Sequence, residues 1–449
     1  MTGTLRSLKN YNAGVVPLEE GESPAGTAVS IGKDAPLNRL SSSLGANRIV
    51  MAISIARMSD ALGNSILFIA IPLYVAQIPT LLLPSVPQPL LVGILISLYG
   101  IMNSALQPLT GALSDRMPRR TPFVLGGLLL MAMGTFAFAF ATRYVDLLVI
   151  RGVQGIGVAL TVPAALALLA TSSKKETRGS AMGIYTTFRM IGFAVGPLVG
   201  GFLQVTYGFN AVFFVGTAFL LLAMVLVQIL VKEEPIDVTE KRREPLKIFN
   251  PEVFSTAMLT LGVAMFFMAS AFSMMTTLEN EFNARLNETA LGFGIAFSAL
   301  TFTRLIFQIP LGRLSDRIGR KPLLIAGLIA MGPATAVLGL ATSTLQLTGM
   351  RAVQGLASAA IAAPGFALAA DLSRVGGEGQ QMSLMSMGFG FGIALGPLIA
   401  GILAVHSFEM PFLVGGIMCL FGAWFVSRYV PETVTRQPRT KESASPIAH

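Results

Sequence analysis

The sequence predicts an all-α membrane protein of twelve transmembrane helices, arranged as two six-helix bundles related by an internal repeat. Three observations support this fold class. The chain of 449 residues is 53% hydrophobic and only 12% charged, against roughly 25% charged residues in an average soluble domain. Apolar runs close to the ~20 residues that cross a bilayer recur along the whole chain. Patterns of the first half also return in the second at an offset of about 200 residues, which indicates a duplication.

The clearest repeat is a short polar segment between two apolar runs. Residues 111–120 read GALSDRMPRR, and residues 312–321 read GRLSDRIGRK. Each copy has a glycine, an Asp-Arg pair and two further basic residues at matching places. These positions are Gly111, Asp115, Arg116, Arg119 and Arg120 in the first copy, and Gly312, Asp316, Arg317, Arg320 and Lys321 in the second.

The duplication divides the chain into five parts. A polar tail over 1–48 precedes a first bundle over 49–231, and a charged linker over 232–251 precedes a second bundle over 252–430. A second polar tail follows over 431–449. The first tail lacks the apolar core of a cleavable signal peptide, and its composition is typical of a mobile segment. The predicted spans are 49–77, 89–111, 122–142, 145–171, 180–205, 209–231, 252–278, 290–312, 322–342, 345–370, 382–405 and 409–429.

The basic residues predict the orientation of the chain. Lys and Arg are concentrated in the links after spans two, four, six and eight, whereas the alternate links hold only Arg143 and Arg285. Because links rich in Lys and Arg stay in the cytoplasm, both termini are predicted to be cytoplasmic. We expect a multi-pass protein of the cell membrane. The net charge of +9 follows from these links and does not require nucleic acid as a partner.

The residues that carry enzymatic chemistry are scarce. Cys419 is the only cysteine, and the two histidines, His406 and His449, lie in a link and at the end of the chain. No set of metal ligands can be drawn from these residues. The pattern G-x-x-x-x-G-K-S/T, which cradles nucleotide phosphates, is also absent. The sequence therefore predicts neither an enzyme nor an ATP-driven pump, and it predicts no metal or cofactor.

Two six-span halves joined by a charged linker resemble the major facilitator superfamily of secondary transporters. The resemblance covers roughly residues 49–430, and the family form of the loop motif is G-x-L-x-D-R-x-G-R-K/R. The second copy matches this form fully, whereas Pro118 replaces a glycine in the first. The resemblance implies a substrate site near the midplane between the halves. It also implies a cytoplasmic gate, in which the acid and arginines of the motif join the halves in one state only; the alternative is helix capping.

Span five carries a second signature, GFAVGPLVGG over 192–201. It resembles the G-x-x-x-G-P-x-x-G-G motif of drug/proton antiporters, the multidrug exporters of this superfamily. Glycines four residues apart let helices approach closely, and a proline kinks the helix; the alternative is ordinary small-residue packing. The second half keeps most of the pattern, with Ala400 in place of a glycine. The motif residues are Gly192, Gly196, Pro197, Gly200, Gly201, Gly396 and Pro397.

Asp60 and Arg151 are the predicted proton-coupling residues. A charge at the bilayer centre costs at least ~2.5–3.5 kcal/mol, and Asp60 is the only carboxylate that the predicted spans place deep in the membrane. Arg151 enters span four from the other face and reaches a similar depth, so the two side chains could meet. A change in their distance would then load or release a proton on Asp60. The alternative is a structural ion pair of Asp60 with Arg57 or Arg151.

Three further arginines are assigned to the substrate cavity. Arg304 and Arg351 lie well inside their spans, and the position that matches Asp60 in the second half is Thr260. Because an uncompensated buried charge is costly, these arginines favour neutral or anionic ligands. Backbone carbonyls, water or Glu279 could satisfy them instead. Arg57, the third, lies nearer the cytoplasmic face, as does Arg189, and both could snorkel there.

Together these features favour a secondary transporter that exports small amphiphilic compounds in exchange for protons by alternating access. A proton-coupled uptake symporter or a facilitator for a metabolite or organic anion remains the alternative, although the span-five motif counts against it. A transporter-like sensor is more remote, because a sensor has no need of the Asp60–Arg151 arrangement. The expected partners are a small-molecule substrate, protons and the lipid bilayer, and we expect a monomer.

Overall fold

The computed structural model describes residues 48–78, 86–173, 177–233, 235, 255–372 and 378–433. Within these ranges 12 helices are long and apolar enough to cross a membrane, and no strand is found. The predicted fold class is therefore confirmed. The two predicted tails and the predicted linker lie almost entirely outside the described residues.

The twelve spans are labelled α1 to α12 in chain order. The first half comprises α1 Arg48–Val75, α2 Gln88–Ser114, α3 Thr121–Ala137, α4 Tyr144–Ser172, α5 Arg178–Tyr207 and α6 Phe209–Leu230. The second half comprises α7, which begins with Thr256–Ser273, then α8 Ala290–Ile318, α9 Arg320–Ala336, α10 Thr344–Leu372, α11 Glu378–Ala404 and α12 Met410–Tyr429. A 3-10 turn extends α3 over Phe138–Phe140 and α9 over Val337–Leu340, so the two halves match in this detail as well.

The seventh span extends beyond the predicted boundary at residue 278. After Ser273 it passes through a 3-10 stretch, Met274–Leu278, and ends in a helical segment, Glu279–Leu286, here called the α7 tip. The tip remains inside the protein because Phe282 is buried, with its ring centroid 4.8 Å from that of Phe408. The N–H of Asn287, in the left-handed conformation, then caps the segment at the carbonyl of Asn283.

Short links join successive spans, so neighbouring helices run in opposite directions. Both copies of the polar loop motif therefore lie at one end of the bundle, which we call the motif end. The links between α3 and α4 and between α9 and α10 lie at the other end, together with the α7 tip, and we call this the opposite end. The two ends differ in how the halves meet.

The halves meet along two helix pairs. α2 packs against α11, and α5 packs against α8. At the opposite end the backbones come so close that a Cβ on Gly201 of α5 would lie 2.6 Å from the carbonyl oxygen of Ala290 in α8. The equivalent Gly401 of α11 meets Pro89 of α2, where a Cβ would lie 2.7 Å from the carbonyl oxygen. The two halves are thus held in direct backbone contact at the opposite end.

Candidate functional site

Charged side chains of α1, α5 and α8 gather where the two halves face each other. The group comprises Arg57 and Asp60 of α1, Tyr99 of α2, Tyr185 and Arg189 of α5, and Arg304 of α8, and we call it the central cluster. Its α1 members follow from helical spacing, because residues three and four apart lie on the same face of a helix. The same spacing places Tyr185, Arg189 and Phe193 along one face of α5.

Asp60 is the only carboxylate among the described residues of the central cluster. It is 2% exposed, and Arg57 forms an ion pair with it. Asn64, one turn further along α1, donates a hydrogen bond from Nδ2 to Oδ1 of Asp60 at 2.8 Å. The guanidinium of Arg57 also lies 5.9 Å from the centre of the Tyr185 ring. An ionised Asp60 is therefore compensated within its own helix.

Arg189 and Arg304 bring a surplus of positive charge to the central cluster. They come from opposite halves and lie close enough to repel each other electrostatically. Arg189 stacks on Phe193 at 5.3 Å and Arg304 on Phe389 at 5.5 Å, contacts that hold guanidinium groups without neutralising them. Their Nε atoms are buried without an acceptor among the described residues. The sequence predicts Arg189 near the cytoplasmic face rather than in this group. The signal for its true place is the spacing of four residues from Tyr185 and from Phe193, which puts the three on one face of α5.

The structure does not bring Asp60 and Arg151 together. Arg151 donates to Oε1 of Gln154 at 3.1 Å, and Gln154 donates to Oγ1 of Thr135 at 2.8 Å. The Arg151 guanidinium lies 5.1 Å from the centre of the Tyr99 ring, with Phe138 on another side. These contacts join α4 to α3, and Tyr99 connects them to the central cluster.

The second half repeats this hydrogen-bond chain. Arg351 donates to Gln354 at 2.8 Å, and Gln354 donates to Thr335 at 2.9 Å. Arg351 is fully buried, donates to the carbonyl of Phe272 at 3.3 Å and stacks on two phenylalanine rings. Because the same chain occurs in both halves, its first function is to lock the fourth helix of each half onto the third. The glutamine and threonine partners repeat in the sequence at the same offset as the arginines.

An aromatic row connects the halves beside these charges. Phe193 of α5, Phe68 of α1, Phe297 of α8 and Phe272 of α7 lie at successive centroid distances of 5.9, 5.8 and 5.7 Å. Arg189 stacks on one end of this row, and Arg351 stacks on the other. The row therefore supplies an apolar surface next to the central cluster, as an amphiphilic ligand requires.

The loop motifs bind helices of their own half. In the first copy, the Arg120 side chain pairs with Asp115 at 3.0 Å and donates to the carbonyl of Ala167. The backbone N–H of Arg120 donates to the carboxylate of Glu233. In the second, Arg320 pairs with Asp316 at 3.2 Å and with Asp371 of α10. The backbone N–H groups of Arg320 and Lys321 donate to Glu432. Arg119 and Arg317 are exposed.

The described side chains of four motif residues contact only their own half. These residues are Asp115, Arg120, Asp316 and Arg320. The proposed latch requires a contact with the other half in one state of the cycle only. In the conformation described here the motifs brace each half separately.

The residues of the α5 glycine motif contact two different helices, α1 and α8. Gly192, Gly196 and Gly200 face α1 within the first half, and a Cβ on Gly200 would lie 2.6 Å from the carbonyl oxygen of Ile66. The carbonyl of Pro197 and the residue Gly201 face α8 of the other half. Gly392 and Gly396 face α7 in the same way. The motif therefore serves both as packing within a half and as contact between halves.

Glu279 is a deep carboxylate that the predicted span boundary excluded. It is fully buried at the start of the α7 tip. The prediction that Asp60 is the only deep carboxylate is therefore wrong. The available signal was the spacing of Leu278, Phe282 and Leu286, four residues apart, which indicates that the apolar face of the helix continues past the first charge.

Twelve apolar helices in two equivalent halves, with buried charges where the halves meet, define a membrane transport protein rather than an enzyme. The family model described as Major Facilitator Superfamily matches residues 53–286 and 261–449, and the chain belongs to this family. The resemblance seen in the sequence is thereby confirmed.

Similar proteins include multidrug exporters. The chain is 26% identical over 339 residues to the multi-drug resistance efflux pump PmrA of Streptococcus pneumoniae, covering 73% of this chain and 84% of that protein. It is 26% identical over 363 residues to the multidrug resistance protein MdtG of Klebsiella pneumoniae, covering 80% and 86%. Among solved structures, a bacterial homologue of the human lysosomal transporter Spinster, in an inward-facing and occupied conformation, matches with a TM-score of 0.70 at 15% identity, covering 85% of this chain and 96% of that one.

Proposed function

We propose that the protein is a proton-coupled antiporter that exports small amphiphilic compounds across the cell membrane by alternating access. The observation that carries the proposal is Asp60, a buried carboxylate in contact with Arg57 at the meeting place of the halves. The similarity to multidrug exporters supports the choice of substrate class. The motif end is proposed to face the cytoplasm, because the basic links lie there.

The coupling follows from competition for Asp60. When ionised, its carboxylate can accept a hydrogen bond from a ligand in addition to those from Arg57 and Asn64. Protonation converts one carboxylate oxygen from an acceptor into a donor and weakens the ion pair with Arg57, so a proton competes with a ligand that donates a hydrogen bond to that oxygen. A proton taken from the outside would then release the substrate there. Arg151 would tune this exchange only indirectly, through Tyr99.

The charge balance of the central cluster favours a second candidate, a proton-coupled symporter for an organic anion. Arg57, Arg189 and Arg304 outnumber Asp60. An anion that binds the arginines would displace the Asp60 carboxylate and promote its protonation, so proton and substrate would bind together. This coupling has the opposite sign to antiport.

Transport by the purified protein in liposomes separates the two. A pH gradient is imposed, and the uptake of a lipophilic cation, a neutral drug and an organic anion is measured. An antiporter moves its substrate against the direction of proton flow, whereas a symporter moves it along that direction. If the accumulation of all three compounds is independent of the pH gradient, proton coupling is excluded.

A further inference from the structure

The α7 tip buries a carboxyl group without a partner. Glu279 is 0% exposed, and neither Oε1 nor Oε2 accepts a hydrogen bond from a described residue. An ionised carboxylate costs several kcal/mol to bury without compensation. Such a position favours the neutral carboxyl group, with a proton on one of its oxygens.

The residues around Glu279 hold the two halves together at the opposite end. Asn280 donates from Nδ2 to the carbonyl of Pro72 in α1, across the boundary between the halves, at 2.8 Å. Within the second half, Thr277 donates to the carbonyl of Pro397 at 3.0 Å and so anchors the start of the tip on α11. Leu278 lies in one apolar cluster with Ile69 of α1. Separation of the halves at this end must therefore break contacts on either side of Glu279.

Arg285, the basic residue of the α7 tip, is paired with an acid other than Glu279. Arg285 pairs with Glu409 at 2.9 Å and lies 3.8 Å from the centre of the Phe408 ring. This hydrogen bond holds the pKa of Glu409, which precedes α12, below its ordinary value. Glu281, the other acid of the tip, also has a buried oxygen without a partner. The tip thus offers Glu279 no cation.

The helices packed against this end of α7 are α1, α2, α8, α11 and α12, and α10 joins them through Leu347, which lies in one apolar cluster with Leu278. Arg351 of α10 is directed to Gln354 and to the carbonyl of Phe272, seven residues before Glu279. The opposite-end portions of the first five helices hold no Lys or Arg over 64–75, 88–98, 290–303, 384–404 and 410–420. The titratable groups there are Tyr74, which donates to the carbonyl of Ala141, and Cys419, which donates to the carbonyl of Phe267. Glu409 precedes α12 and pairs with Arg285. Glu288 and His406 lie in neighbouring links and are exposed. Protonation is therefore the available way to neutralise Glu279.

We propose that Glu279 is a second proton-binding site, whose protonated form holds the opposite end of the bundle closed. When the halves separate there, the Asn280–Pro72 hydrogen bond breaks, water reaches Glu279 and the proton leaves to the medium on that side. Acid on that side thus favours closure, and closure traps the proton. That this medium is the cell exterior rests on the proposed function; the coupling of closure to protonation does not.

Distance measurements across the opposite end test this directly. Thr142 and Ser343 are exposed in equivalent links of the two halves, so Thr142→Cys and Ser343→Cys carry spin labels in a Cys419→Ala background. In the parent, pulsed electron resonance should show a short distance at acidic pH and a growing population of long distances as pH rises. In Glu279→Gln, a neutral mimic of the acid form, the long-distance population should stay small at every pH.

The controls separate this site from its neighbours. Glu288→Gln, nine residues away and exposed, should keep the parent's pH response. The measurement uses neither substrate nor gradient, so its outcome does not depend on whether the protein exports its substrate. Thermal unfolding of each purified variant checks that it is folded. A pH response in folded Glu279→Gln equal to that of the parent overturns the proposal, as does a parent whose distance is the same at every pH.

Discussion

At the residue scale, charge balance governs what the central cluster can bind. Asp60 faces Arg57, with Arg189 and Arg304 nearby, so a single proton on Asp60 changes the local charge from a surplus of two positive groups to a surplus of three. Because the site is buried between aromatic rings, this change acts in a medium of low dielectric constant. Its effect on a ligand is therefore larger than at a solvated surface.

Replacement of Asp60 tests the proton site. Asp60→Asn keeps the size and the hydrogen-bonding shape of the side chain but cannot release a proton, so substrate binding should persist while gradient-driven accumulation is lost. The measurement is transport into liposomes beside equilibrium binding. Asp146→Asn, at a half-buried position at the start of α4, is the matched control and should transport normally. Normal proton-driven transport by Asp60→Asn would move the coupling role to another group, with Glu279 the first alternative.

The selectivity of the protein for the charge of its substrate should depend on Arg304 more than on Arg351. Both arginines have a buried Nε without an acceptor among the described residues. Arg304 lies beside Arg189 in the central cluster, whereas Arg351 donates to Gln354 and to the carbonyl of Phe272 within its own half. Arg304→Gln should weaken binding of an anionic compound about tenfold or more and leave a cation unaffected. Arg351→Gln should instead lower the thermal unfolding temperature and affect both compounds alike. Selective loss of the anion in Arg351→Gln, but not in Arg304→Gln, would reverse these assignments.

At the element scale, close helix approach depends on which face of a helix its small residues occupy. Along α5, Gly196 lies against α1 and Gly201 against α8, whereas a Cβ on Gly183 would meet nothing within 4 Å. The sequence motif predicted close packing but not this division, because spacing along a helix does not name the neighbour on each side. The same limit explains Asp60 and Arg151: counting residues sets the depth of a side chain but not the direction in which it points.

Three leucine substitutions in α5 test its close contacts with α8 and α1. Gly201→Leu would drive atoms into the Ala290–Leu291 backbone, so it should strongly impair transport while the protein remains inserted. Gly183→Leu, on the same helix with open space around it, should transport at the normal rate. Gly196→Leu should also impair export, by separating α5 from α1. Transport assays with membrane-extracted, quantified protein provide the comparison, and normal export by Gly201→Leu would contradict the close-packing argument.

At the scale of the whole molecule, the duplication made much of the fold predictable. Composition and span length gave the helix count, and the repeat gave the two halves, because both are properties of the chain itself. The extent of α7 was not predictable in the same way. A charged residue normally marks the end of a span, but the tip keeps Glu279 inside because α1, α8 and α11 cover it. The pairing of Gln354 with Thr335 likewise depends on packing between helices.

The orientation of the bundle determines which side of the membrane each end faces, and the proposed roles of Asp60 and Glu279 depend on it. Lys and Arg flank the spans at the motif end, with Arg120 and Arg320 held in structured loops there, whereas the opposite end holds Arg143 and Arg285. Translocation of the basic links is unfavourable, so reporter enzymes fused after residues 120 and 321 should be active in the cytoplasm. A reporter inserted near residue 283, in the α7 tip, should report the outside, and one after residue 142 serves as the matched position in the first half. Cytoplasmic activity at 283 would invert the bundle and make Glu279 a sensor of cytoplasmic rather than external pH.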